Sequence, residues 1–167
     1  MKATTILSLI LGVALVIVAS GTALAYDASG TWKGVVVSNR CGPLYPLPGN
    51  PCASAIIIDL VQDSGGDLTG AGVFCTDSSY SDCDINDDGI ADGTLTALHL
   101  GAPPTGRRVV FSVTVTTGTA AFPGPCAPAV FTGVMRIDTT ASSLDAVFSG
   151  INTDCLSETN RLTADKQ

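Results

Sequence analysis

The sequence predicts an all-β chain: an eight-stranded antiparallel up-and-down barrel, with a two-sheet β-sandwich as the alternative, stapled by disulfides at one end. Three observations carry this expectation. Apolar and polar residues alternate with period two, and no helical period appears. The connections between the alternating segments are in turn long and short. The cysteines, six of them, all fall in or beside the long connections.

Taken in chain order, residues 1–25 read as a secretory signal peptide. Lys2 supplies the charged start, Ile6 to Val18 the apolar stretch, and Ala23-Leu24-Ala25 a small-x-small cleavage site. An uncleaved anchor is the competing reading, but the apolar run falls short of the roughly 20 residues a spanning helix needs. No Cys follows the cleavage site to take a lipid, and nothing later in the chain has the length to span a bilayer as a helix. Residues 26–167 then make a single β-barrel domain of secreted or periplasmic location.

Its first strand, 31–38, opens on Gly30-Thr31-Trp32. The second, 55–62, sends Ile56, Ile58 and Leu60 to one face. Asp63-Ser64-Gly65-Gly66 turns the chain into the third, 67–75, and the fourth spans 93–100. Gly101 to Gly106 leads into the fifth, 107–117, where Val109, Phe111, Val113 and Val115 alternate with Val110, Ser112, Thr114 and Thr116 as a half-buried strand requires. The sixth, 129–138, aligns Phe131, Gly133, Met135 and Ile137. Thr139 to Ser142 joins it to the seventh, 143–150, with Leu144, Ala146 and Phe148 on one face, and 159–165 completes the set. In a meander the odd-numbered links share one end and the even-numbered links the other. One end is therefore tight, and the other is elaborated and carries every cysteine. Eight strands with one apolar face leave two unpaired edges unless the sheet closes, which favours the barrel.

Export places the cysteines in an oxidising compartment, where an even count points to disulfides. Short loops favour Cys41 with Cys52 and Cys75 with Cys83, leaving Cys126 for Cys155. A zinc site is the competing reading, but no C-x-x-C spacing is present and His99 is the only histidine to join it. Acidic residues outnumber basic ones, 15 to 8, for a formal charge of −7. That gives no electrostatic footing on phosphate, so nucleic acid is not an expected partner.

Gly30-Thr31-Trp32 at the start of the first strand resembles the Gly-x-Trp opening of lipocalin and avidin-like barrels. The resemblance implies a Trp near the closed end and a ligand site in the open mouth and cavity. The chain departs from avidins in having one Trp, and from lipocalins in lacking a helix after the last strand. Trp32 is expected to plug the closed end, with Arg108 covering it, rather than to stack on a ligand. The inward glycines Gly34, Gly70, Gly72 and Gly133 admit two readings: space for a ligand, or corners that let strands curve.

Catalysis finds little support, and the chain is read as non-enzymatic. No G-x-S-x-G accompanies His99, the thiols are expected to be oxidised, and Glu158 is the sole Glu for any paired-carboxylate chemistry. Two functions stay open. One is a barrel that binds a small apolar ligand or a protein partner at its stapled mouth, through Tyr45, Tyr80 and Phe122. The Pro-rich first and fifth links that hold Tyr45 and Phe122 would lose little entropy on binding. No charged residue occupies an assigned inward strand position, so an anionic ligand would lack a counter-ion. The other is a calcium-stabilised structural or adhesive extracellular module with a filled barrel. Its basis is Asp84 to Asp92, where Asp84, Asn86, Asp88, Ile90 and Asp92 fall on the alternate positions of a calcium loop with Gly89 at the turn, making calcium the candidate cofactor. The segment resembles dockerin and thrombospondin type 3 loops, but Leu95 stands where a carboxylate would complete the shell. A pocket open at the cysteine-rich end would discriminate the two functions.

Overall fold

The computed structural model describes residues 27–41, 46–84, 89–98, 107–115, 125–126 and 128–167. The signal-peptide reading of residues 1–25 lies outside them. The described residues form eight strands: β1 (Gly30–Ser38), β2 (Ala53–Gln62), β3 (Leu68–Cys75), β4 (Gly93–Leu98), β5 (Arg107–Val115), β6 (Ala129–Ile137), β7 (Ser143–Ile151) and β8 (Ser157–Lys166). Each pairs antiparallel with the next. β8 returns to β1, from Trp32 opposite Lys166 to Ser38 opposite Asn160. The sheet is thus a closed barrel and not a sandwich. Closure leaves no strand edge to template aggregation, the hazard that an open meander of this length would carry. No helix among the described residues is long and apolar enough to cross a membrane.

Strand alternation decides what enters the interior. On β1, Trp32, Gly34 and Val36 turn inward while Lys33, Val35 and Val37 turn outward. The inward residues pack most densely toward the end of the even-numbered links, where Trp32, Leu60, Met135, Ile137 and Leu144 are each at most 2% exposed. Burying side chains of this size contributes about 1.5–3 kcal/mol apiece, before conformational entropy is set against it.

The segment before β1 closes this end. Trp32 Nε1 donates to the Ala28 carbonyl (3.1 Å), and the Ala28 amide donates to Gln62 Oε1 (2.9 Å). Arg108 lies exposed on the outer wall opposite Arg136, so the expected Arg108 cover over Trp32 is replaced by the Asp27–Ser29 segment. Two even-numbered links are held by carboxylates that accept successive amides. Asp63 Oδ1 takes the amides of Gly65 (2.8 Å) and Asp67 (2.9 Å). Asp138 takes those of Ser142 (2.7 Å) and Ser143 (3.1 Å) and the hydroxyl of Thr140 (2.6 Å). These bonds favour the charged form and hold the Asp138 carboxyl far below its ordinary value.

The three disulfides are Cys41–Cys52, Cys75–Cys83 and Cys126–Cys155, all at the other end. The pairing is the one that loop lengths and a shared rim imply. No cysteine remains for zinc, and three bridges suit an oxidising extracellular or periplasmic compartment.

Candidate functional site

The interior does not stay filled along its length. Above the Trp32 layer a cavity of about 490 Å3 opens toward the stapled end. Each strand crosses from core to cavity as it rises. On β2, Leu60 belongs to the packed end while Ile58, Ile56 and Ser54 line the space; on β8, Ala164 is core while Leu162, Asn160 and Glu158 line it. A volume of this size falls in the range of small-molecule sites.

One wall is aromatic. Phe148 stands edge-on to Phe111 (centroids 5.7 Å apart, 69°) and to Phe131 (5.9 Å, 83°), and all three line the cavity. Gly133 makes this trio possible, because it lies opposite Phe148 on one side and Phe111 on the other. A Cβ at Gly133 would collide with the Val147 carbonyl and meet Phe148 Cβ at 2.5 Å. Gly34 and Gly70 are equally crowded by backbone: a Cβ at the first would strike the Thr163 carbonyl, and one at the second would lie 2.5 Å from the Asp59 carbonyl. These three glycines are close-approach corners. Gly72 differs, since it lines the cavity and its Cβ would find the Ile57 carbonyl at 3.3 Å and Ile side chains at 3.6 Å.

The polar groups gather toward the mouth. Glu158 Oε1 accepts from the Ser38 hydroxyl (2.9 Å) and Oε2 from Asn152 Nδ2 (3.0 Å). Asn152 Oδ1 accepts in turn the amides of Asp154 (3.1 Å) and Leu156 (3.0 Å), which shapes the seventh link. Asn160 is 4% exposed and lines the cavity. Arg40 lines the rim and donates Nε to the Ser157 carbonyl (2.6 Å). The expectation of an uncharged interior therefore fails at the mouth, where Glu158, Asp92, Asp154 and Arg40 all line the cavity.

Tyr45 and Phe122 lie outside the described residues. Tyr80 is described, and it does not line the cavity. The Cys75–Cys83 hairpin folds it against β1, where its hydroxyl donates to the Gly34 carbonyl (3.2 Å) and the outward Lys33 ammonium lies 5.3 Å from its ring centroid. Burial, and then the Asp165 carboxylate, raises its phenol above 10.0. Tyr80 thus stands against β1 beside the outward Lys33, away from the cavity lining.

Of the calcium-loop residues, Asn86 and Asp88 lie outside the described set. Asp84 has φ 64° and its Oδ2 accepts the Gly89 amide (2.8 Å), while Oδ1 is buried with no hydrogen-bond partner among the described residues. Ile90 is 63% exposed. Asp92 turns inward at 2% exposure, and its Oδ2 takes the Phe74 amide (2.9 Å) just beyond the last β3–β4 pair, Gly72 with Gly93. It thereby replaces the ladder partner that β3 has lost. Among the described residues no group of three or more His, Cys, Asp or Glu is placed to hold a metal.

Sequence reasoning missed the cavity residues Ser38, Asn160, Glu158 and the Phe trio as a site. The signal that was present is Asn160 in register with Leu162 and Ala164, a polar residue on an inward face. Comparison of the chain with protein-family models, with curated proteins and with solved structures finds no match. The closed eight-stranded barrel is consistent with a lipocalin-like architecture, and the likeness rests on architecture alone.

Proposed function

We propose that this is a secreted or periplasmic, non-enzymatic barrel that binds a small, largely apolar ligand in the cavity behind its stapled mouth. The observation that carries the reading is the cavity: an interior lined by Ile56, Ile58, Phe111, Phe131, Phe148 and Leu162 and open at the cysteine-rich end. A purely structural module gains nothing from such a space, because filling it would add packing and stability. Disulfides on both sides of the opening restrict the rim before binding, which reduces the entropy lost when a ligand is held.

The test is a fluorescence titration with N-phenyl-1-naphthylamine, a neutral apolar probe that brightens out of water. Saturable binding is expected in the oxidised wild type and is expected to fall at least about tenfold in Gly72→Leu, whose side chain would occupy the space. Binding that is absent, or equal in both proteins at comparable melting temperatures, would overturn the proposal.

A further inference from the structure

We propose that the ligand carries a protonated amine on its apolar body, with the Glu158 carboxylate as counter-ion and the Asn160 carboxamide as a second hydrogen-bond partner. This rests on the cavity being a ligand site, and it adds the chemistry of the head group. Glu158 is half-buried, and the two groups bonded to it, the Ser38 hydroxyl and the Asn152 carboxamide, are neutral. They fix the direction of the carboxylate without offsetting its charge. Among the described residues no lysine or arginine forms an ion pair with it; the ion pair described there is Arg161 with Asp145 on the outer wall. Arg40, the cation on the cavity lining, is turned to the Ser157 carbonyl. Asp92 and Asp154 line the same space, so carboxylates outnumber the guanidinium and a ligand anion meets net repulsion.

Asn160 is the independent observation. It lies two residues from Glu158 on the same face of β8, is 4% exposed, and lines the cavity, where a carboxamide offers both a donor and an acceptor. Facing the cavity, it can give a hydrogen bond to a ligand's lone pair or take one from its N–H. Phe148 is the cross-strand partner of Asn160, and the phenylalanines that line the cavity suit an apolar or aromatic body, while aromatic rings also attract an ammonium.

The experiment is isothermal titration of the oxidised protein at pH 7 with decylamine, 1-decanol and decanoate, kept below micelle formation. The amine is expected to bind about tenfold or more tighter than the alcohol, the gain of one charge-assisted hydrogen bond, with decanoate weakest. Glu158→Gln should abolish the preference of amine over alcohol. Asp59→Asn, which alters net charge equally on the outer wall, should leave the preference intact. Decanol binding as tightly as the amine overturns the head-group assignment while the ligand cavity stands, and a preference that survives Glu158→Gln overturns the role of Glu158. If none of the probes binds, the cavity reading itself fails. The amine–alcohol comparison uses the wild type alone, so it decides the matter even if Glu158→Gln does not fold.

Discussion

Two inward glycines make opposite predictions when each receives a single methyl group. In Gly133→Ala the new Cβ collides with the Val147 carbonyl and lies 2.5 Å from Phe148 Cβ and 2.6 Å from Phe148 Cα, so β6 and β7 must separate where their ladder is continuous. Overpacking of this kind costs about 1–3 kcal/mol, and backbone obstacles place it at the upper end because they have no rotamer to move to. Restricting the unfolded chain returns about 0.4–1 kcal/mol, leaving a net loss of about 2 kcal/mol. For a domain of this size that lowers Tm by about 4–8 °C. In Gly72→Ala the nearest atoms are the Ile57 carbonyl at 3.3 Å, which need give only a few tenths of an ångström, and Ile side chains at 3.6 Å, in ordinary contact. The unfolded-state gain then nearly balances the small adjustment, and Tm should stay within about 2 °C of wild type. Thermal melts of the oxidised proteins by circular dichroism decide it. A Gly133→Ala protein as stable as Gly72→Ala would refute the division of these glycines into corners and cavity lining.

Removing the Cys126–Cys155 bridge, which spans 29 residues, by double substitution with Ser should cost about 2–4 kcal/mol in urea unfolding. Asp138→Ala should melt below wild type at neutral pH, and the gap should close as pH falls below 3.8: a carboxyl held low in the folded state stabilises it above its ordinary value, and that contribution is lost on acidification. The calcium expectation at Asp84 has its own test. Millimolar calcium should raise the wild-type Tm and leave Asp84→Asn unchanged, Asn being tolerated at φ 64°, and an unmoved wild-type Tm removes calcium from the account.

The barrel was legible because period-two alternation specifies which face of a strand each residue takes, and alternating link lengths specify which end each cysteine shares. Both follow from chain geometry without knowledge of the interior. The site was less legible for a related reason. Alternation marks Phe111, Phe131 and Phe148 as inward, but it does not say how far apart facing walls stand. The space above Trp32 depends on strand tilt and on how Gly133 lets these rings close on one another. Strand ends mattered too. β8 begins at Ser157 rather than 159, and that shift of two residues brings Glu158 into the inward register beside Asn160. The place of Tyr80 was not legible, because a disulfide hairpin with positive φ at its tip turns back against β1, a direction that residue type does not encode.

On the proposed function, an apolar ligand enters the barrel and lies between the Phe trio and Asn160. Heteronuclear NMR during titration with 1-decanol tests it directly, with the Asn160 side-chain amide as the polar reporter. Saturable shifts are expected to concentrate at Asn160, Leu162, Phe111, Phe131 and Phe148, with outward residues such as Val147 unmoved. Shifts confined to the outer wall, or no shifts at any residue lining the cavity, would contradict it.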